Sequence, residues 1–494
     1  MSTHHIACAN ENAMLLDPVL ADLNGRGKLK FVGHPYSDDD LIRFAGGRDF
    51  GLLLPRSDMS LNQIADVLDE KSDNSSRDPF SAKASFAYSP VVFLVNPAAA
   101  SRLRIYDEPL TWHALARAGG AGGSLRIRHA SPRQRDGEAV ALAQHLALGT
   151  DPGRSETAQS QRRSVQQLVE EYGPDDQEVL RRAFGDGWNA DLVIAQERSI
   201  VDFASQVGDM TGIVVYPHDG TLVLPTSIAL TSSWGAPESE EAFKLLAGSL
   251  AEIDRSTLAA AGLHKSNEDM TDPDSIVDFA SAAGERSGLK WAPHAGGRML
   301  AMPSRSSIRG IRDLAVQGGR SVDVCLVFDS STSMQDEGKF EAALSGIDAF
   351  LSLLGSPASR VCLIRIRSSA ATVVPLRPRG NFSYQRTWLE PDGNTALIDA
   401  VDMAVDVLVR EGNRANIQAI LAFTDGRENA SSRSLVQVEA ALRTSPRVRF
   451  YGIAYGLDAD STTLDCFAAA TDGLVVRGGP GQIKALYERL STYF

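Results

Sequence analysis

The stretch SVDVCLVFDSSTSM, residues 321–334, decides the fold of the C-terminal part of the chain. Residues 322–328 form an almost unbroken apolar run, which is typical of a strand covered on both faces. The run ends in Asp329, Ser331 and Ser333, whose spacing of two makes them point one way while the chain stays extended. Ligands bind at this end of strands in open α/β sheets, so one carboxylate and two hydroxyls here predict a site for a hard cation such as Mg²⁺.

The pattern resembles the metal-ion-dependent adhesion site of the von Willebrand factor A family. That family uses a Thr and an Asp from later loops, and Thr395 in DGNT and Asp425 in AILAFTDG stand in those places. The resemblance implies that these five residues hold Mg²⁺, with Mn²⁺ or Ca²⁺ as alternatives, and that a protein partner offers Asp or Glu to the metal. The alternative is that DSSTS is only a helix N-cap or serine turn.

The rest of the C-terminal part alternates apolar runs with helical patterns. Strand patterns occupy residues 322–328, 361–366, 419–423, 448–454 and 474–476, and helical patterns occupy residues 339–354, 396–409, 435–444, 462–470 and 481–490. Strands separated by helices predict a doubly wound parallel sheet, Rossmann-like in its layers. We therefore expect one α/β domain over residues 321–494.

The totals restrict the class of protein. A chain of 494 residues is long enough for two or three domains, and 43% hydrophobic and 22% charged residues are typical of a globular protein. The net charge of -13 argues against a general nucleic-acid binder. Since no apolar run approaches about eighteen residues and no secretory signal is visible, we expect no membrane span and a cytoplasmic location. The alternative is an extracytoplasmic or cell-surface location, if a leader is missing.

The N-terminal half resembles the type II extracellular solute-binding proteins of bacterial transporters. The phrases that carry this resemblance include FAYSPVVFLVN at 86–96, ADLVIAQERSIVDF at 190–203 and IVVYPHDGTLVLPTSIAL at 213–230. The resemblance implies a two-lobed α/β domain over residues 1–265 that closes on a small ligand. Lobe I would comprise about 1–90 and 197–265, lobe II about 91–196, and residues 266–320 would form a connector.

Ligand contacts in such a cleft are expected near helix N-termini and strand ends. The candidates are Asn10, Ser37, Ser89, Arg135, Glu197 and Tyr216. Each also fits an ordinary cap, turn or solvated charge. Asp136 stands at a predicted helix start, where its carboxylate would satisfy the free N–H groups and repel an anion, so we expect no tight binding of phosphate, sulfate or molybdate.

The sequence thus favours a non-enzymatic protein, in which a solute-binding-like ligand sensor or scaffold is joined to a metal-dependent interaction domain. The chain contains neither a GxSxG nor an HExxH motif, which argues against a hydrolase. The alternative is an adaptor subunit of an ATPase-driven assembly such as a chelatase or metalloenzyme-activation complex. Because the chain lacks a GxxxxGK[ST] loop, the ATPase would be a separate protein.

Overall fold

The computed structural model of the protein describes residues 2–44, 50–70, 78–121, 124–149, 155–185, 187–208, 210–234, 237–268, 272–292, 297–354, 356–456, 459–479 and 481–493. The chain forms two compact units. Unit 1 consists of Met1–Arg162 and Asp175–Arg312, and unit 2 of Arg163–Pro174 and Asp313–Phe494. Within the described ranges, no helix combines the length and apolar character needed to cross a membrane.

The strands are numbered in chain order. They are β1 (Thr3–Ala9), β2 (Lys30–Tyr36), β3 (Leu52–Leu54), β4 (Phe80–Val95), β5 (Ile127–Ala130), β6 (Val169–Gly173), β7 (Leu192–Gln196), β8 (Ile213–Val215), β9 (Thr221–Thr231), β10 (His264–Lys265), β11 (Lys290–Trp291), β12 (Met299–Leu300), β13 (Val322–Asp329), β14 (Arg360–Ile366), β15 (Ala371–Pro378), β16 (Ile417–Thr424), β17 (Val448–Tyr455) and β18 (Leu474–Gly478).

The helices are numbered in the same way. They are α1 (Asn10–Gly25), α2 (Asp38–Phe44), α3 (Asp58–Glu70), α4 (Pro97–Ala100), α5 (Trp112–Gly120), α6 (Arg135–Leu148), α7 (Ser155–Gln167), α8 (Asp176–Phe184), α9 (Glu197–Val207), α10 (Pro237–Ala251), α11 (Arg255–Ala260), α12 (Pro273–Ser287), α13 (Arg305–Gln317), α14 (Lys339–Leu353), α15 (Leu397–Glu411), α16 (Leu435–Arg443), α17 (Ser461–Thr471) and α18 (Ile483–Ser491).

Unit 1 has two lobes that share strand β4. The first half of β4 pairs with β9, which continues through β3 to β1 and β2, and these strands form lobe I. The second half of β4, residues 91–95, is fully buried and pairs with β7 and β8, and β5 joins β7 in lobe II. This arrangement is the two-lobed α/β fold that the resemblance predicted, with the forward crossing at 86–96.

Helix α6 of lobe II lies against the end of β5, and its sequence explains why it can. Its composition is rich in alanine, and most of its residues are buried. A Cβ at Gly137 would clash with the carbonyl oxygens of Ala130 and Ser131, so the first turn of α6 needs glycine for this close approach. The helix therefore brings its N-terminal residues to a fixed position beside lobe I.

Unit 2 is a six-stranded sheet with the order β15-β14-β13-β16-β17-β18. The central strands β13 and β16 are buried along their whole length, which explains their unbroken apolar runs. Cys325 and Val327 belong to the core cluster formed with α15, α16 and α17. On the opposite face, the Phe328 ring stacks on Phe423, which in turn stacks on Tyr487 of α18. The doubly wound architecture predicted for this part of the chain is confirmed.

Edge strand β15 is the part of this sheet that the sequence pattern missed. It pairs antiparallel with β14, although a wholly parallel sheet was expected. Its sequence ATVVPLRP carries two prolines and is only partly buried, because an edge strand is covered less than a central one.

The two units differ from the expected domain limits in two places. Helix α12, within the expected connector 266–320, contributes Ile276, Phe279 and Ala283 to a core cluster of unit 1. Residues 163–174, expected in lobe II, belong to unit 2. There the Arg449 guanidinium contacts Glu170 at 2.7 Å, and the Tyr451 hydroxyl donates to buried Glu171 at 2.9 Å. The sequence pattern does not indicate which of the two cores each of these segments joins.

Candidate metal centre

The carboxylate of Asp329 is fixed at the end of β13. It is fully buried, and its two oxygens accept hydrogen bonds from the Ser331 N–H at 2.8 Å and the Thr424 hydroxyl at 2.5 Å. Burial raises the pKa of Asp329 to about 6. Because β13 and β16 run parallel in register, Asp329 and Thr424 reach the same edge of the sheet. The loop after β13 therefore starts from a rigid anchor.

The hydroxyls of this loop converge with the Thr395 hydroxyl and the Asp425 carboxylate of two later loops. Ser331 Oγ lies 3.0 Å from Ser333 Oγ, and Ser333 Oγ donates to Asp425 Oδ1 at 2.7 Å. A Cβ placed on Gly426 would lie 2.9 Å from Thr395 Oγ1, 3.5 Å from Ser333 Oγ and 3.8 Å from Ser331 Oγ. Three hydroxyl oxygens thus surround one small space, which the absence of a side chain at Gly426 leaves free. The structure brings all five predicted residues together.

Backbone hydrogen bonds hold the loop that carries Thr395. Gly393 has a φ of 76°, a conformation that favours glycine, and its carbonyl accepts from the Thr332 N–H at 3.0 Å. The Asp392 N–H donates to the Ser330 carbonyl at 2.8 Å, and the Thr395 N–H donates to Asn429 Oδ1 at 2.9 Å. These contacts fix the position of the threonine before any ligand arrives.

Lys339 is part of the site, although the sequence pattern did not single it out. Its ammonium lies 2.9 Å from Asp425 Oδ2, and its side chain is 19% exposed. It is the first residue of α14, where a positive charge opposes the helix dipole. The ion pair with the Asp425 carboxylate offsets the unfavourable interaction of Lys339 with the helix dipole. No motif signals such a contact, because 86 residues separate Lys339 from Asp425.

The residues present fit a hard divalent cation. The side chains that meet here carry three hydroxyls and two carboxylates, all oxygen, which suits Mg²⁺ or Ca²⁺ and gives no soft ligand for zinc. Over the described residues, no group of three or more His, Cys, Asp or Glu side chains could hold a metal. A site built from hydroxyls and two carboxylates does not depend on such a group.

The six residues predicted to contact a ligand in unit 1 do not form one site. Glu197 and Tyr216 are fully buried, and the Tyr216 hydroxyl donates to Glu197 at 2.7 Å. The ring nitrogens of His264 and Trp291 also contact Glu197, at 2.7 and 2.8 Å. Both carboxylate oxygens of Glu197 therefore have protein partners, and the ligand contact predicted for Glu197 and Tyr216 stays a prediction.

The remaining predicted contacts have mostly structural partners. Ser37 Oγ accepts from the Asp40 N–H at the start of α2, and buried Ser89 Oγ accepts from the Arg198 N–H in the first turn of α9. Arg135 pairs with Asp38 at 2.9 Å. Asn10 is exposed and borders a cavity of about 560 Å³.

Asp136 behaves differently from the sequence expectation. Its carboxylate does not satisfy the N–H groups of its own helix α6. It accepts a hydrogen bond from the Asp176 N–H at 3.0 Å, at the start of α8. The sequence pattern missed its partner Arg56, since an arginine after a short apolar run reads as an ordinary loop residue.

Comparisons with known proteins agree with this architecture. Residues 324–428 match the von Willebrand factor type A domain family, and this part of the chain is a von Willebrand factor type A domain. The described residues outside unit 2 form the two-lobed α/β unit 1. A search of curated protein sequences found no match.

Solved structures similar to each part are known. A von Willebrand factor type A protein from Catenulispora acidiphila is 18% identical with a TM-score of 0.31, and the match covers 35% of this chain and 42% of that one. An ABC transporter protein from Clostridium perfringens is 12% identical with a TM-score of 0.44, covering 64% and 98%. The sulfate-binding protein SubI from Mycobacterium tuberculosis is 16% identical with a TM-score of 0.39, covering 59% and 94%.

Proposed function

We propose that the von Willebrand factor type A domain binds Mg²⁺, with Mn²⁺ or Ca²⁺ as alternatives, and through it a carboxylate of a protein partner. The observation that supports this most strongly is the meeting of Ser331, Ser333 and Thr395 hydroxyls around the space beside Gly426. When bound, the cation supplies an open coordination position for an Asp or Glu side chain. The function is recognition and not catalysis.

The protein side chains have distinct roles in this proposal. The hydroxyls of Ser331, Ser333 and Thr395 are neutral oxygen donors and leave most of the cation charge uncompensated. Asp425 holds the Ser333 hydroxyl at 2.7 Å, and Asp329 holds the Ser331 backbone at 2.8 Å, so both carboxylates orient the donors. A site with residual positive charge favours an acidic partner.

Unit 1 serves as a scaffold in this proposal. Five of its six candidate ligand residues already have protein hydrogen-bond partners: Ser37, Ser89, Arg135, Glu197 and Tyr216. A role as a ligand sensor needs polar groups that are available to a solute. The scaffold role therefore agrees better with the contacts inside unit 1.

Metal binding is the first test of the proposed function. Isothermal titration of the full chain with Mg²⁺ should give one binding event that EDTA removes. The Ser331→Ala and Asp329→Asn variants should weaken it by about tenfold or more, because each loses an oxygen donor or its support. Ser352→Ala, which removes a hydroxyl bonded to Ala349 elsewhere in unit 2, is the matched control and should bind like the wild type. Equal binding by all four proteins would disprove the site.

Capture of a protein partner is the second test of the proposed function. Affinity capture from the native cell in Mg²⁺ and in EDTA should recover a protein only when the metal is present. A ring ATPase among the captured proteins would support the alternative role as an adaptor of an ATPase-driven assembly. Capture that is unchanged by EDTA or by Ser331→Ala would show that the metal site is not the contact.

A further inference from the structure

The first turn of α6 connects the two lobes of unit 1 through buried charges. Arg56, which follows β3 in lobe I, contacts Asp136 of lobe II with Nη1–O distances of 3.3 and 3.4 Å. The Asp136 side chain is 3% exposed and the Arg56 side chain 9%. A buried charge needs such a partner, because burial alone is costly for either ion.

Further donors surround the Asp136 carboxylate. Gln196 Nε2 at the end of β7 donates to it at 3.1 Å, and the Asp176 N–H at the start of α8 donates at 3.0 Å. Arg56 also donates to the Ser199 hydroxyl, which in turn donates to Asp176 at 2.8 Å. A guanidinium, a helix N-terminus and a side-chain amide converge on one carboxylate, which is the arrangement by which proteins bind small anions.

The charges in this network are consistent with an ionised Asp136. Burial alone would raise the pKa of Asp136, but the Arg56 and Arg135 guanidinium groups lower it below its ordinary value. Burial and the charge of Asp136 raise the pKa of neighbouring Asp176 to about 8. Near neutral pH the pair therefore carries one negative charge, and Arg56 compensates it.

Two neighbours of Asp136 on α6 also reach lobe I. Arg135 pairs with Asp38 at 2.9 Å, and the Gln63 side chain hydrogen-bonds Glu138. Beside the network, a cavity of about 560 Å³ is lined by residues that include Arg56, Arg198 and Ser199. A small solute thus has a space from which it could reach Arg56, but the carboxylate of Asp136 already occupies the donors.

We propose that Asp136 is a built-in anionic ligand: its carboxylate occupies an anion-binding position between the lobes and keeps unit 1 closed without a solute. The wild-type protein then binds no small anion at this position. Removing the side chain uncovers a site for a small monovalent carboxylate, because Arg56 Nη1, the Gln196 amide and the α8 N-terminus lose the acceptor that they share. This inference concerns unit 1 alone and does not depend on the metal site.

Chemical rescue tests the proposal on the full chain. Asp136→Ala leaves a space that formate can fill, whereas Asp136→Asn loses the same charge but leaves no space. The Tm of Asp136→Ala is compared in about 100 mM sodium formate and in the same concentration of sodium chloride. Formate should raise the Tm by roughly 2–4 °C for each factor of ten by which its concentration exceeds its Kd. Asp136→Asn and the wild type should gain nothing beyond the chloride control.

The outcomes decide the proposal. Tryptophan fluorescence is a suitable probe, since Trp112, Trp188, Trp234 and Trp291 lie in unit 1 and Trp388 lies in unit 2. If Asp136→Ala does not fold in chloride, its refolding yield in formate is measured, and recovery is expected. The proposal is overturned if formate fails to rescue Asp136→Ala, if it rescues Asp136→Asn equally, or if calorimetry detects formate, sulfate or phosphate binding at this position in the wild type.

Discussion

Lys339 and Glu138 are two charged side chains that lie where water screens charge only weakly. Lys339 pairs with Asp425 at the proposed metal site of unit 2, and its side chain is 19% exposed. Glu138 of α6 is 4% exposed and lies 3.9 Å from Arg312. We expect the charge of Lys339 to affect cation binding and the charge of Glu138 to affect the stability of unit 1.

Lys339 should weaken metal binding. A divalent cation bound beside Asp425 is repelled by the ammonium, and Lys339→Met removes this repulsion. We expect the Kd for Mg²⁺ to fall by about tenfold, which corresponds to about 1.4 kcal/mol. Isothermal titration measures it, with Lys484→Met on the exposed face of α18 as the control. An unchanged Kd for Lys339→Met, with normal binding by the wild type, would contradict this role.

Glu138 should make unit 1 less stable as pH rises. Burial raises its pKa to about 7, although Arg312 opposes the shift. Below about pH 4.5 the carboxyl is neutral in both folded and unfolded chains; above pH 7 the folded chain holds a buried charge. Its contribution to stability is therefore present at low pH and is lost between about pH 4.5 and 7.

Glu138→Gln removes this dependence. At pH 8 we expect the variant to be more stable than the wild type by about 1–3 kcal/mol, and at pH 4.5 to be equal. Urea denaturation at the two pH values measures the difference, and exposed Glu108→Gln is the control. A variant that is destabilised at pH 8 would show that the charge of Glu138 is needed.

At the scale of elements, the close packing of α14 on α18 supports the face of the unit 2 sheet that carries Phe328 and Phe423. Gly346 of α14 lies directly against the Tyr487 ring, and a Cβ there would also lie 3.0 Å from Ile483 Cγ2. The ring of Tyr487 contacts Phe350 and Phe423, so it has little room to move. Glycine is used here for close approach of two helices.

Gly346→Ala should therefore destabilise unit 2. Overpacking of a tight contact costs about 1–3 kcal/mol, which exceeds the gain in helix propensity of about 1 kcal/mol. The matched control is Gly310→Ala in α13, where no atom lies within 4 Å of the added Cβ. That variant should be neutral or stabilised by about 0.4–1 kcal/mol. Thermal unfolding of both variants checks the contrast, and a stabilised Gly346→Ala would refute the packing argument.

At the scale of the whole molecule, chain order and compact units do not coincide. Residues 163–174 belong to unit 2, although the chain on both sides of them belongs to unit 1. Their attachments inside unit 2 are specific: the Arg320 guanidinium donates to the Val169 carbonyl, and Arg449 and Tyr451 hold Glu170 and Glu171. These side-chain contacts inside unit 2 should therefore contribute to the stability of the segment.

Hydrogen exchange of the β6 amides tests this membership. Arg449→Met removes the partner of Glu170 and should lower protection in 169–173 by about 1–3 kcal/mol, because a largely buried ion pair is broken. Arg443→Met, which removes an exposed pair with Glu439 on α16, should change it by less than about 0.5 kcal/mol. Unchanged protection in Arg449→Met would mean that other contacts hold the segment.

The sequence by itself determined the class of both folds and the five oxygen-bearing residues at the edge of β13. Local patterns suffice there: buried parallel strands are apolar throughout, and side chains at a strand end are placed by the strand. Only the tertiary structure decided that Lys339 lies against Asp425, that Glu197 and Tyr216 are internal, and that Asp136 meets Arg56. Two buried charges pair when elements that are far apart in the sequence pack together and exclude water. Local sequence periodicity does not show which elements pack together.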